Sequence, residues 1–183
     1  MTGLSTATVV LGAVLVAPAS AGADSGGGGD TQLVRIIDDC DAASFNAAVG
    51  PGTCVGDGET TFQEFAAQLG ENGLAANESA DHWEFKPGDF HIDHGDRLLV
   101  VNQGGEFHTF TEVEEFGPGC VPPVNALLGL DAVAIDECKV PDVFETTGVL
   151  AGDTLPVSGL APGTHKFECL IHPWMQSVVE VRR

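Results

Sequence analysis

A cysteine, a histidine and a methionine follow one another at regular intervals near the C-terminus, in the segment Cys169-Leu-Ile-His172-Pro-Trp-Met175. A thiolate, an imidazole and a thioether form a soft set of ligands, which suits a copper ion that changes oxidation state. A trigonal site with two histidines, one cysteine and a weak axial methionine needs one further imidazole. His108 is the best placed candidate because it begins a predicted strand directly after a glycine-rich loop.

Each of these side chains has an ordinary explanation when it is taken alone. A single cysteine is often a buried thiol, a methionine is more often core filler than a ligand, and a histidine often lies at the surface. The regular spacing, together with the glycine-rich loop upstream, makes a chance coincidence of all of them improbable. The pattern therefore predicts one metal site formed by His108, Cys169, His172 and Met175.

The remaining cysteines form two local groups. Cys40 and Cys54 flank one short loop, and Cys120 and Cys138 flank another. Four cysteines allow three pairings, of which we favour the two local ones. Each closure would stabilise the fold by about 3 kcal/mol on the chain-entropy estimate. Two disulfides are typical of an oxidising compartment, and they leave Cys169 as a free thiol.

The N-terminal residues have the pattern of a secretory signal peptide. An apolar run spans 7–17 and is followed by small residues suited to cleavage, so we assign 1–23 to the signal. Residues 24–31 contain four consecutive glycines and are predicted to form a flexible tether. The protein is therefore expected to be exported, to the periplasm or the extracellular space.

The formal net charge of −20 results from 27 acidic and only 7 basic residues. Such a surface repels nucleic acids and anionic membranes, and it favours a basic protein partner or cations. General solubility, or life in high salt, explains the same composition equally well. Beyond the N-terminal run, no apolar stretch is long enough to cross a bilayer, so membrane insertion is not expected.

Residues 32–81 are predicted to form a small helical N-terminal extension. Residues 32–37 have the composition of a strand, and 41–48 that of a short helix. A second helix begins at a capping box formed by Thr61 and Glu64. A partial match to a calcium-binding loop precedes this helix, but its first ligand positions hold no carboxylate, which argues against calcium.

Residues 82–183 have β character and are predicted to form the main domain. Short runs such as 97–102 and 107–113 alternate with turns, which is typical of a sandwich. Between them and the C-terminal strands, 114–147 is predicted to be an irregular insertion that carries the second cysteine pair. His165 shares strand parity with Phe167 and is expected to point into the core.

A series of motifs in this domain resembles the cupredoxins of the plastocyanin and amicyanin type. In chain order they are Phe85-Lys-Pro, Gly95-Asp96, Val101-Asn102, His108-Thr-Phe-Thr111 and Cys169-Leu-Ile-His172-Pro-Trp-Met175. The resemblance implies a mainly β, Greek-key sandwich that holds one type 1 copper ion. It implies His108, Cys169 and His172 as equatorial ligands and Met175 as the axial ligand. The helical extension and the disulfide-stapled insertion are additions to that fold.

Two residues depart from the family pattern. Thr109 stands where many members have an asparagine that braces the cysteine loop, and its hydroxyl is expected to do part of that work. Ser177 replaces a glycine that often follows the axial methionine.

In the family the second histidine is exposed within an apolar patch and passes the electron. The same is expected of His172, surrounded by Pro173 and Trp174.

The resemblance implies a one-electron carrier that cycles between Cu(I) and Cu(II) and meets a redox protein partner. No nucleophile–base pair, phosphate-binding loop or second metal cluster is evident, so we do not expect an enzyme. Two alternatives stay open. One is a copper-binding protein for delivery, storage or sensing, and the other is a cupredoxin-shaped interaction module.

Overall fold

The structure is a computed structural model that describes residues 29–73, 79–130 and 133–183. The predicted signal peptide, 1–23, lies outside the described residues, and so does most of the predicted tether. No helix in the described part of the chain has the length and apolar character needed to cross a membrane.

The described residues form ten strands, four α-helices and one 3₁₀ helix. The strands are β1 (Thr31–Ile37), β2 (Glu84–Lys86), β3 (Asp89–Asp93), β4 (Arg97–Asn102), β5 (His108–Thr109), β6 (Thr111–Val113), β7 (Gly148–Val149), β8 (Thr154–Val157), β9 (Gly163–Glu168) and β10 (Gln176–Arg182). The helices are α1 (Ala42–Ala48), α2 (Phe62–Asn72), α3 (Pro122–Leu127) and α4 (Val143–Thr147), with the 3₁₀ helix at Asp136–Lys139.

Two four-stranded sheets form the body of the protein. One has the strand order β2-β1-β4-β8 and the other β3-β10-β9-β6. Alternate residues of the strands point inward, so that Val100 of the first sheet and Val179 of the second belong to one buried cluster. The prediction of a mainly β sandwich is confirmed. Strands β5 and β7 pair separately as a small ribbon.

Strand β1 lies inside the first sheet. It pairs in parallel with β4, from Thr31 opposite Arg97 to Ile36 opposite Asn102, and antiparallel with β2. The first strand of the predicted N-terminal extension is therefore part of the sandwich, and only the residues after Ile37 lie outside the sheets. Parallel pairing between such distant segments leaves no local signal in the sequence.

The two helices of the extension begin where the capping residues predict. Asp41 accepts a hydrogen bond from the backbone N–H of Ser44, at 2.8 Å, and caps α1. Thr61 and Glu64 form both hydrogen bonds of a capping box at the start of α2. The buried residues of the two helices are Phe45, Phe65 and Leu69, which join the main core cluster.

The insertion after β6 contains α3, the 3₁₀ helix and α4, and α3 packs against α2. Both favoured disulfides are present, Cys40–Cys54 in the N-terminal part and Cys120–Cys138 in the insertion. Among the described residues, Cys169 is the only cysteine outside a disulfide.

Two expectations about strands need correction. The predicted strand 107–113 is interrupted at Phe110, because β5 pairs with β7 whereas β6 pairs with β9. His165 was expected in the core, but its Nδ1 lies 2.6 Å from Glu112 Oε1 on the neighbouring strand β6, and its side chain is partly exposed. An ion-pair partner on the surface of the sheet accounts for this position.

Candidate metal centre

Three of the four predicted ligand residues converge at one buried point. The Cys169 Sγ atom lies 3.7 Å from His108 Nδ1 and 3.7 Å from His172 Nδ1, and the two Nδ1 atoms are 3.2 Å apart. All three side chains are buried. The residues come from β5 and from the loop between β9 and β10.

The triangle of donor atoms has the dimensions of a trigonal metal site. An ion about 2.0 Å from two nitrogens and about 2.3 Å from a sulfur needs N–N and N–S separations of about 3.5 and 3.7 Å. The separations found are 3.2 Å and 3.7 Å, which is close on all three sides. The residues present therefore fit a metal ion bound by two imidazoles and one thiolate.

The loop that carries Cys169, His172 and Met175 is closed by its own backbone. The N–H of Cys169 donates to the carbonyl of Met175 at 3.0 Å, and the N–H of Met175 donates to the carbonyl of His172 at 2.8 Å. Met175 is fully buried and belongs to the same core cluster as Cys169. The fourth predicted ligand thus lies in the same tight turn, directly before β10.

Thr109 connects the two ligand-bearing segments. Its hydroxyl accepts a hydrogen bond of 2.8 Å from the backbone N–H of Leu170, and its own N–H points at Cys169 Sγ over 3.4 Å. The structure thus gives this threonine the contacts that the expected bracing role requires. Because one residue contacts both the thiol and the chain beside it, Thr109 fixes the position of the sulfur relative to His108.

The Cys169 thiol is predisposed to ionise. Burial raises the pKa of Cys169, but hydrogen bonds to His108 and His172 and the charges of the two imidazoles hold it well below its ordinary value. A thiolate is the form that binds metal ions. The neighbouring Glu168 behaves differently, because burial raises its pKa to about 8 although the N–H of Gly117 donates to it at 3.1 Å.

His108 is held from its outer side by a carboxylate. Its Nε2 lies 2.9 Å from Oδ2 of Asp38, and both side chains are fully buried. Burial alone would lower the pKa of His108, but Asp38 and Cys169 raise it to about 10. Burial raises the pKa of Asp38, and the hydrogen bonds and charge of His108 bring it down to about 2.

His172 is covered, and the expectation of an exposed electron port at this histidine is wrong. Only 3% of His172 is exposed, and both Pro173 and Trp174 are buried. The rings of Phe65 and Trp174 meet the imidazole at steep angles, with centroids 6.1 Å and 5.2 Å away. The cause is α2, whose buried residue Phe65 packs over the end of the sandwich where the predicted ligands converge. Glu106 completes this cover, with Oε2 3.8 Å from His172 Nε2.

Sequence reasoning missed the residues that surround the ligands. They are Asp38, Phe65, Trp83 and Glu106, and the indole Nε1–H of Trp83 donates to Glu106 at 2.7 Å. Glu106 carried a local signal, because it lies two residues before His108. Asp38 and Phe65 carried none, since they lie in the segment interpreted as a separate extension.

No protein family matches this sequence, and no curated protein is detectably similar to it. Solved structures do resemble the chain. A purple cupredoxin from Nitrosopumilus maritimus is 15% identical, over 59% of this chain and 94% of its own, with a TM-score of 0.38.

Two further structures show the same degree of likeness. A mutant plastocyanin of fern is 18% identical, over 60% of this chain and 97% of its own, with a TM-score of 0.36. A reduced mutant of amicyanin is 19% identical, over 61% and 93%, also with a TM-score of 0.36. The resemblance to the cupredoxins, first indicated by the motifs, is found among solved structures as well.

Proposed function

We propose that this protein binds one copper ion at a type 1 site and carries single electrons. The observation that supports this is the convergence of Cys169 Sγ with the Nδ1 atoms of His108 and His172, at 3.2–3.7 Å, inside the protein. Two imidazoles and a thiolate, with a buried thioether in the same turn, are the ligands that select copper among the common metals. When bound, copper supplies a one-electron couple.

The surroundings of the ligands favour a fixed geometry. Backbone hydrogen bonds close the Cys169–Met175 turn, Thr109 ties it to the strand of His108, and Asp38 holds the outer nitrogen of that histidine. Ligands that are held in place by neighbouring groups move little when the charge of the site changes. Small rearrangement favours rapid electron exchange, as a carrier requires.

The burial of all the proposed ligands argues against a protein that delivers copper. Ligand exchange requires an incoming group to reach the ion, and the ligand residues here are at most 3% exposed. Storage and sensing remain as copper-binding alternatives, and they require no reversible redox cycle. A cupredoxin-shaped interaction module is the other alternative, and it requires no copper. We propose a carrier without enzymatic activity of its own.

The proposal extends to location and partner. Two disulfides support an exported protein, because such bonds persist in oxidising compartments. The net charge of −20 favours a basic redox protein as the partner. Since His172 is covered by α2, such a partner would exchange electrons through the residues of the cover and not by direct contact with this histidine.

The test is to add Cu(II) to the purified protein and to record visible absorption and electron paramagnetic resonance spectra. An intense thiolate-to-copper band with narrow hyperfine splitting is expected, and Cys169→Ala should lose it. His94→Ala is the matched control, because His94 is an exposed histidine in the turn between β3 and β4. A wild-type protein that takes up no stoichiometric copper would contradict the proposal. Reversible bleaching by a mild reductant separates the carrier from a storage protein.

A further inference from the structure

Outside the proposed ligands, the side chain that most requires a physical explanation is the buried carboxylate of Asp38. It directly follows β1 and is 70 residues away in sequence from His108, yet its Oδ2 lies 2.9 Å from the Nε2 atom of that histidine. The side chain of Asp38 is fully buried. A carboxylate is costly to bury, so its presence beside a ligand calls for a physical reason.

The carboxylate is fully supplied with hydrogen-bond donors. Oδ1 accepts from the N–H of Gly105 at 2.9 Å and from the N–H of Cys40 at 3.3 Å. Oδ2 accepts from the N–H of Glu106 at 3.1 Å, in addition to facing His108. Three backbone N–H donors stabilise the ionised form of this carboxylate.

The second histidine has no equivalent partner among the described residues. Glu106 Oε2 is 3.8 Å from His172 Nε2, which is beyond hydrogen-bond distance, and the same oxygen accepts from Trp83. The two ligand histidines therefore differ in their surroundings, and only His108 has a carboxylate oxygen within hydrogen-bond distance of its outer nitrogen among the described residues.

We propose that Asp38 is a positioning residue that fixes the proton of His108 on Nε2, turns Nδ1 toward Cys169, and lowers the reduction potential of the site. This rests on the proposed type 1 copper site. A fixed negative charge beyond the imidazole favours the oxidation state with the higher positive charge, and its effect is strong where water is excluded. A carboxylate that accepts from the outer N–H of a ligand histidine also makes the ligand nitrogen more basic.

The test compares Asp38→Asn with Asp39→Asn. The first substitution removes the charge and keeps nearly the same size, together with one oxygen that still accepts from His108. The second removes a charge from the next residue, whose carboxylate accepts from the N–H of Glu59 and the hydroxyl of Thr60, just before α2. Both variants and the wild type are loaded with copper and titrated to obtain the reduction potential, with circular dichroism to verify folding.

Asp38→Asn is expected to raise the ratio of Cu(I) to Cu(II) at a given solution potential about tenfold. For a one-electron couple this corresponds to a reduction potential that is about 59 mV higher. Asp39→Asn should change it far less. An intact thiolate-to-copper band with an unchanged potential in Asp38→Asn would overturn this inference alone. A wild-type protein that shows no such band would overturn the copper site as well.

A second measurement needs no variant. In the Cu(I) wild-type protein with ¹⁵N-labelled histidine, His108 Nε2 should carry a proton that exchanges slowly with water, because Asp38 accepts it in a buried position. A deprotonated Nε2, or one whose proton exchanges as fast as that of an exposed histidine such as His94, would overturn the proposal even if Asp38→Asn failed to fold.

Discussion

Two disulfide-closed segments contact the ligand loops, and they do so by different means. The first segment, residues 38–73, meets the loop before His108, where the N–H of Val55 donates to Gly105 at 2.9 Å. The second segment, residues 114–147, meets the cysteine loop, where the N–H of Cys120 donates to the carbonyl of Leu170 at 2.6 Å. Each segment thus supports one ligand-bearing stretch through its backbone.

The two segments differ in the kind of carboxyl group that lies beside each of them near the site. The first segment supplies the ionised Asp38 beside His108 and the ring of Phe65 beside His172. The second segment lies against Glu168 of β9, whose pKa burial raises to about 8. Burial thus favours the neutral acid next to Cys169, whereas three backbone N–H donors favour the carboxylate of Asp38 next to His108. The difference suggests that the first segment adjusts the electrostatics of the site and the second only holds its shape.

The largest expected effect comes from removing the aromatic cover that the first segment supplies. Phe65→Ala should lower the free energy of unfolding by about 3–5 kcal/mol, the usual cost of emptying a buried aromatic position. It should also uncover His172, so that a small reductant such as ascorbate reduces the copper several-fold faster. Chemical denaturation and stopped-flow reduction measure the two effects. Phe65→Leu provides a milder variant in case the alanine variant does not fold.

The control for this prediction lies in the second segment. Val143 is buried in a separate small cluster with Val113 and Leu170. Val143→Ala should cost about 2 kcal/mol by the same cavity argument, yet leave the reduction rate unchanged because it uncovers no ligand. Equal acceleration in both variants would mean that faster reduction reflects general loosening and not the loss of the cover.

Removing the disulfides tests the comparison more directly. The two disulfides close loops of similar length, with sequence separations of 14 and 18 residues. Removing either one should therefore lower the free energy of unfolding by about 3 kcal/mol, in the variants Cys40→Ser/Cys54→Ser and Cys120→Ser/Cys138→Ser. Only the first pair is expected to raise the reduction potential, because the N–H of Cys40 donates to Asp38. Urea denaturation and potentiometry of the two double variants measure this. A similar potential shift in both would remove the distinction between the segments.

The convergence at the candidate site could be predicted from sequence because three of the four proposed ligands lie within seven residues, in one turn. The capping residues Asp41 and Thr61 likewise predicted the starts of their helices, since a cap acts over three residues. The contacts of Asp38 and Phe65 could not be predicted in this way. Asp38 reaches the site only because β1 pairs in parallel with β4, and the placement of α2 over His172 depends on packing between distant segments.

The smallest expected effect concerns Thr109, where the two ligand loops meet. Thr109→Val keeps the shape of the side chain but removes the acceptor of the Leu170 N–H, which is left buried without its 2.8 Å partner. Such a loss costs about 1–3 kcal/mol. It should also speed the transfer of copper to a chelator, because the sulfur is then less firmly placed. Thr109→Ser, which retains the hydroxyl, should behave nearly as the wild type.

Thr111→Val is the matched control for that variant. The Thr111 hydroxyl donates to the Thr109 hydroxyl at 3.1 Å and is hydrogen-bonded to the Thr147 hydroxyl at 2.8 Å. Thr111→Val removes both bonds but leaves Thr109 as the acceptor for the Leu170 N–H, so it should lower stability without changing copper retention. If Thr109→Val also retained copper as the wild type does, each ligand loop would be held by its own segment alone. Faster loss in Thr109→Val only would instead show that this one hydroxyl joins the strand of His108 to the cysteine loop and keeps the sulfur in place.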